Sequence, residues 1–180
     1  MGKSRKIDMV ILGLLCHEPL TGYDIKKRID NSIRFFWKGS FGSIYPALTD
    51  MEKTGLIIKN ISSKQTGERE RIEYVITETG KKCIRDWLED SEASNELKYE
   101  TLLKLFFGGA ADAETSIRNI EIFRQNVDQE LQLLKLYQKN LTLAPVKREH
   151  KYYYLTVLFG VETYETYLKW CDEAVEILKK

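Results

Sequence analysis

The run Gly42-Ser43-Ile44-Tyr45-Pro46-Ala47-Leu48-Thr49-Asp50-Met51-Glu52-Lys53-Thr54-Gly55-Leu56-Ile57-Ile58-Lys59-Asn60-Ile61 changes its hydrophobic period once, at Gly55. Ahead of that glycine, Ile44, Leu48 and Met51 recur at helical spacing and form one inner face. Beyond it, Leu56 to Ile61 is β-rich, and a second run sets Ile72, Tyr74 and Ile76 on one face of a strand. Gly55 stands where a helix takes a left-handed C-terminal cap, a backbone state that glycine enters without steric cost. The intervening Ser63-Lys64-Gln65-Thr66-Gly67-Glu68-Arg69 is polar and holds the one glycine that a hairpin tip needs. A helix starting around Ser40 to Ser43, followed by a two-stranded hairpin, is therefore expected.

Upstream, Ile7, Val10, Ile11, Leu14 and Leu15 make one helical stripe, which His17-Glu18-Pro19-Leu20 breaks. Thr21-Gly22-Tyr23-Asp24 is a capping-box pattern, with Thr21 accepting from a free backbone N–H and Asp24 reaching back. Ile25, Ile29 and Ile33 continue a second helix, and the aromatics Phe35, Phe36 and Trp37 are read as core. Downstream, a fourth helix from about Glu78 to Glu89 has Cys83, Ile84, Trp87 and Leu88 on its apolar side. Three short helices and a hairpin make a winged helix-turn-helix plan, whose third helix fits a major groove about 12 Å wide.

The residues left outside the apolar stripe of that helix, Ser40, Ser43, Tyr45 and Thr49, are the candidates to face the groove. Lys26, Lys27 and Arg28 on the second helix, with Lys38, are candidates for the phosphate backbone, as are Lys64, Arg69 and Arg71 on the wing. For each isolated lysine a solvated surface charge is the competing reading. Glu68, Glu70 and Glu73 interleave with Arg69 and Arg71, so the wing is nearly neutral.

Ser91 to Glu96 reads as a polar linker, which divides the chain into a winged helix-turn-helix DNA-binding domain over 1–90 and a helical dimerisation domain over 97–180. In the second part, a compact helix covers Leu97 to Phe107, and a long one runs from Asp112 to about Leu141. The long helix carries a stripe at Ile117, Ile120, Phe123, Val127, Leu131, Leu134 and Leu141. Ala144-Pro145 precedes a last helix from about Lys147, whose Tyr154, Val157, Val161, Tyr164, Leu168, Cys171, Val175 and Leu178 keep a heptad rhythm. Such a seam packs either on the preceding long helix or on a second copy of the chain. A domain of this size struggles to cover its own apolar faces, so part of the seam, Val157 to Val175, is expected between subunits. The fold class is thus mainly α, with a small β-hairpin and C-terminal antiparallel helices.

His150 and the run Tyr152-Tyr153-Tyr154 open that last helix. Consecutive residues sweep about 100° each, so at least one tyrosine must leave the seam. His150, Tyr152 and Tyr153 are accordingly candidates to hold a small aromatic effector, with packing at a dimer interface as the alternative.

Composition excludes several classes. The 180 residues carry 28 basic and 27 acidic side chains for a net charge of +1, so there is no globally basic coat. Met1 to Val75 nevertheless holds 13 basic against 9 acidic residues, a mild excess that favours a polyanion partner for the first half. No apolar run approaches the ~18 residues of a membrane span. Met1 to Asp8 is charged, unlike a signal peptide. Three scattered cysteines suit a reducing, cytoplasmic setting. With His17 and His150 as the only histidines, and no phosphate loop, HExxH or CxxC, neither an enzyme, a metal site nor a cofactor is expected.

Ile11-Leu12-Gly13-Leu14-Leu15, Gly22-Tyr23-Asp24-Ile25, Gly42-Ser43-Ile44-Tyr45-Pro46-Ala47-Leu48 and Gly55-Leu56-Ile57 together resemble the PadR family of bacterial transcriptional regulators. Arg71 through Tyr74 to Thr77, followed by Gly80, extends the likeness. Glu100 through Phe107 and Gly108, a long helix, and a final helix with Trp170 resemble the C-terminal domain of the longer members. The resemblance implies a homodimer with two winged-helix heads on a pseudo-palindromic operator in double-stranded DNA. It implies a sequence-specific regulator, in most members a repressor, several being released by small phenolic or drug-like effectors. Tyr23, Ser43, Tyr45 and Arg71 are the positions it implies for DNA contact. The acidic neighbours of Arg71 depart from the family pattern. The competing readings are a winged-helix protein-interaction module, or an activator without a small-molecule effector.

Overall fold

A computed structural model describes residues 5–37, 41–62, 71–91, 93, 95, 98–143 and 148–180, without the side chains of Phe41, Ser62 and Arg71. The chain divides into two units, Met1–Ser94 and Asn95–Lys180.

In the first unit, α1 (Lys6–Leu15) and α2 (Gly22–Arg28) precede a π-helical turn over Ile29–Ile33. A 3-10 turn, Phe41–Ser43, leads into α3 (Ile44–Lys53), then β1 (Ile57–Ser62), β2 (Arg71–Ile76) and α4 (Glu78–Glu89). The strands are antiparallel, with Ile57 opposite Ile76 and Ser62 opposite Arg71. Ile11 and Leu12 of α1, Ile25 of α2, Ile44, Ala47, Leu48 and Met51 of α3 and Ile57 of β1 are fully buried together. The stripe expected for α3 is therefore its inner face, with Ala47 added, and Gly55 closes the helix at φ 71°. Thr21 and Asp24 form both halves of the capping box, the Asp24 N–H donating to Thr21 Oγ1 at 3.1 Å.

Three details differ from the sequence reading. The second helix does not run regularly to Ile33: its last turn widens to a π turn, which still buries Ile29 and sets Ile33 against the core. Phe36 is 58% exposed, so the aromatic run is not all core; Trp37 packs inward, and Phe35 has the Arg34 guanidinium 4.6 Å from its ring centre. Ile84 of α4 packs near Gly13 of α1, whereas Trp87 and Leu88 lie beyond that contact and stay exposed.

The second unit is helical: α5 (Glu100–Phe106), a 3-10 turn at Gly108–Ala110, α6 (Ala113–Leu143) and α7 (Arg148–Leu178). The segment 144–147, with the Ala144-Pro145 break, and Leu97 lie outside the described residues; α5 starts at Glu100 rather than at Leu97, because Tyr99 before it is extended. α6 and α7 run antiparallel, clasped by Arg124–Asp172 at 2.8 Å and Lys135–Glu165 at 2.7 Å. Ile120, Val127, Leu131 and Leu134 of α6 and Val161 and Cys171 of α7 are buried in this pairing. No helix among the described residues is long and apolar enough to cross a membrane.

The joint between the hairpin and α4 is the tightest point of the first unit. A Cβ on Gly80 would lie 2.3 Å from the Leu56 carbonyl oxygen and 2.8 Å from Ile76 Cγ1. Backbone cannot step aside as a side-chain tip can. Gly80→Ala should lower stability by about 1–3 kcal/mol, read as a fall in thermal midpoint; an unchanged midpoint would refute this account of the joint.

Candidate nucleic-acid interface

Burying Ile44, Ala47, Leu48 and Met51 turns the opposite side of α3 outward, and there Tyr45 is 62% and Tyr23 of α2 68% exposed. Thr49 is exposed too and donates its hydroxyl to the Tyr45 carbonyl at 3.1 Å, while Ser43 is half-buried at the head of α3. Lys26 and Lys27 are exposed on α2, and Arg28 forms an ion pair with Glu18. Arg71 opens β2. Lys38, Ser40, Lys64 and Arg69 lie outside the described residues.

The Tyr45 ring rests on the backbone of Gly22, the first residue of α2. Beside it, Leu20 and Tyr74 form an antiparallel bridge, with the Tyr74 N–H donating to the Leu20 carbonyl at 2.8 Å. Burial pushes the Tyr74 phenol above the ordinary tyrosine range; Glu52 and Tyr45 add to that and Lys59 opposes it. Lys59 is itself paired with Glu52 of α3 at 2.5 Å, so the hairpin and α3 hold each other by charge as well as by packing. The exposed Tyr23 and Tyr45 are legible in the sequence residue by residue; the Lys59–Glu52 pair and the glycine seat beneath Tyr45 are not.

In the second unit, Tyr152 and Tyr153 are exposed and Tyr154 half-buried, as the helical sweep requires. His150 is half-buried, 6.4 Å from Tyr153 between ring centres, and its Nδ1 is enclosed without a hydrogen-bond partner among the described residues. The open hollow of about 470 Å3 beside α5 is lined by Leu103, Lys104, Phe107, Ser116 and Asn119, and by none of these three residues. Of the seam residues expected between subunits, Val161 and Cys171 are buried within the chain, in the long pairing of α7 with α6. Val157, Tyr164, Leu168 and Val175 are half-buried. Among the apolar side chains that remain uncovered are Leu102, Leu103, Phe106 and Phe107 around α5, Leu155 and Phe159 on α7, and Ile122, Leu136 and Leu143 on α6.

An aromatic cluster escaped the sequence reading. Tyr99, Phe123, Tyr167 and Trp170 pack ring to ring with centroids about 6 Å apart, and the Tyr99 and Tyr167 hydroxyls share a hydrogen bond of 2.6 Å. Phe123 lay on the α6 stripe and Trp170 was noted on the last helix, but nothing local links either to Tyr99.

Residues 11–86 match the family model described as "Transcriptional regulator PadR-like family", and residues 97–179 match "Virulence activator alpha C-term". The "Negative transcriptional regulator PadR" of Bacillus subtilis is 25% identical, over 98% of this chain and 99% of that one. A crystal structure of Bacillus subtilis PadR in complex with operator DNA superposes with a TM-score of 0.84 at 24% identity, covering 97% of this chain and 99% of that chain. One in complex with p-coumaric acid gives 0.77 at 23%, covering 98% and 100%. Residues 11–86 of the chain thus form a domain of the PadR-like family of transcriptional regulators.

PadR-like members are regulators rather than enzymes, and the fold is the expected winged helix-turn-helix with C-terminal helices. The first match spans the tyrosines of α2 and α3 and the strands that brace them; the second spans the helices of the aromatic cluster.

That cluster makes an alkaline prediction. Burial first, then the hydrogen bond and charge of Tyr167, hold the Tyr99 phenol above the ordinary tyrosine range. A folded phenol that keeps its proton beyond about pH 10, where an unfolded one loses it, stabilises fully below that pH and progressively less above it. Ultraviolet titration should therefore show Tyr99 ionising late, and Tyr99→Phe should raise the pH midpoint of alkaline unfolding. An unmoved midpoint would contradict the packing described.

Proposed function

We propose that this chain is a cytoplasmic, homodimeric repressor that binds a pseudo-palindromic operator and is released by a small aromatic effector. Residues 1–90 act as the DNA-binding domain and 97–180 as the dimerisation domain. The observation that carries the reading is the outer face of α3, where Tyr45 and Thr49 stand exposed above a fully apolar inner face, with exposed Tyr23 on α2. Exposed aromatics contribute little to the stability of the fold and much to contact with a partner. A helix of this width enters the major groove, with Ser43 as a further groove-facing residue, while Lys26, Lys27 and Arg71 meet phosphates; the sequence adds Ser40 to the first group and Lys38, Lys64 and Arg69 to the second. Bacillus subtilis PadR, of the same fold, holds operator DNA.

The uncovered leucines and phenylalanines of α5 and α7 support dimerisation, since contiguous exposed apolar side chains mark interaction surfaces. The half-buried Val157, Tyr164, Leu168 and Val175 of α7 are proposed to add to the interface. Two heads then reach half-sites about one helical turn, roughly 34 Å, apart. For the effector, the exposed Tyr152 and Tyr153 offer ring faces, with the half-buried His150 ring 6.4 Å from Tyr153 between ring centres. The p-coumaric acid held by Bacillus subtilis PadR supports an aromatic acid. Three free thiols suit the reducing cytoplasm. One observation favours a second reading: the C-terminal half matches a family described as an activator, so the bound dimer would activate where its operator lies upstream of a promoter.

Labelled duplex from immediately upstream of the protein's own gene tests the reading. Binding should survive unrelated competitor and weaken linearly in log–log salt titration. Tyr45→Ala should cost about tenfold in affinity, the scale of one specific contact, with the dimer intact; equal affinity would remove α3 from the interface. Separately, the double substitution Leu155→Glu/Phe159→Glu should give folded monomers by sedimentation, and a persistent dimer would move the interface elsewhere.

A further inference from the structure

A Cβ built on Gly22 would lie 2.8 Å from Tyr45 Cε1, 3.3 Å from Cζ and 3.4 Å from the hydroxyl oxygen. Real Cβ atoms do not sit so close, so one of the two partners must move if that Cβ is added. Gly22 is the fixed one. Its backbone lies between the Leu20–Tyr74 bridge and the Thr21–Asp24 capping box, whose side chains meet at 2.7 Å, and Ile25 one turn on is fully buried. Tyr45 is the free one, a mostly exposed ring at the end of a rotatable side chain.

We propose that Gly22 is a positioning residue for DNA recognition: by lacking a side chain it lets the Cε1–Cζ–hydroxyl edge of the Tyr45 ring lie against α2, and so sets where the phenol meets the duplex. The inference rests on the DNA-binding reading above. Gly22 has no positive φ, so its backbone suits any residue, and Ala is the better helix former. The absence of a side chain is therefore not explained by the helix itself. A methyl group at this position leaves α2 in place and tips the ring away from its seat. Stability and recognition should thus move in opposite directions, which a purely structural glycine would not produce.

The test is a double-mutant cycle on the full chain, using duplex from immediately upstream of its own gene. Gly22→Ala should keep or raise the thermal midpoint yet lose about tenfold in affinity, the scale of one contact. In the Tyr45→Ala background the same change should cost nothing further. Wild-type affinity in Gly22→Ala, or an equal loss in both backgrounds, overturns the proposal while leaving the DNA-binding reading standing. Failure of the wild-type protein to prefer this duplex over unrelated DNA overturns that reading and the proposal with it. Should Gly22→Ala alone not fold, the Gly22→Ala/Tyr45→Ala pair must, because it removes the clash; an unfolded pair means that the methyl meets something other than Tyr45.

Discussion

The first unit hangs on the hydroxyl of Thr77. It donates to the carbonyls of Gly55 at 2.7 Å and Leu56 at 3.0 Å and accepts from the Gly80 N–H at 3.1 Å, while the Thr77 N–H reaches the Leu56 carbonyl at 3.1 Å. The Leu56 N–H in turn returns to Met51 of α3 at 2.9 Å. One residue thereby ties the end of α3, the entry and exit of the hairpin and the first turn of α4. Capping a helix with a hydroxyl is ordinary; using the same oxygen to anchor a preceding helix C-terminus makes the elements register with one another. Gly80 allows the approach, since any side chain there would strike the Leu56 carbonyl.

From that knot the geometry of the proposed interface follows. With α3 fixed at its C-terminal end and the hairpin fixed at its base, the Leu20–Tyr74 bridge carries the constraint to the start of α2. Gly22 and Tyr45 meet where these restraints converge. Arg5 adds a second tie, reaching Asp8 of α1 and Asp50 of α3 at 3.2 Å and 3.1 Å. The exposed tyrosines are therefore presented by a frame with little freedom at their backbone, which is what a recognition surface needs if its rings are to meet a duplex without reordering.

What could be read from the sequence was what depends on neighbours along the chain. The Ile44, Leu48 and Met51 stripe, the Gly55 cap and the Thr21–Asp24 box are each decided within a turn or two, and all stand as expected. The π turn after α2, the outward Phe36 and the aromatic contacts of Tyr99 depend on residues far away in sequence. The α7 seam shows the boundary most clearly. Its heptad rhythm requires a helical partner, but the rhythm is the same whether that partner is α6 or another chain. Val161 and Cys171 are buried where the antiparallel pair sets α7 against the inner face of α6. At the proposed interface, Tyr23 and Tyr45 were recognisable as apolar-stripe outsiders, whereas the seat under Tyr45 needed coordinates.

Charge is a poor guide to how this head would grip a polyanion. Arg28 is engaged by Glu18, Arg5 by Asp8 and Asp50, and Lys59 by Glu52. A cation already paired must give up its carboxylate before it neutralises a phosphate, so the net gain is smaller than for a solvated lysine. In the proposed role these pairs serve the frame, bracing helix against helix and hairpin against helix. Lysines on the outside of α2 supply attraction. That leaves discrimination to groups whose value lies in placement rather than charge, and a phenol ring held against a glycine is such a group: it offers a flat face and a hydroxyl at a position fixed by contact.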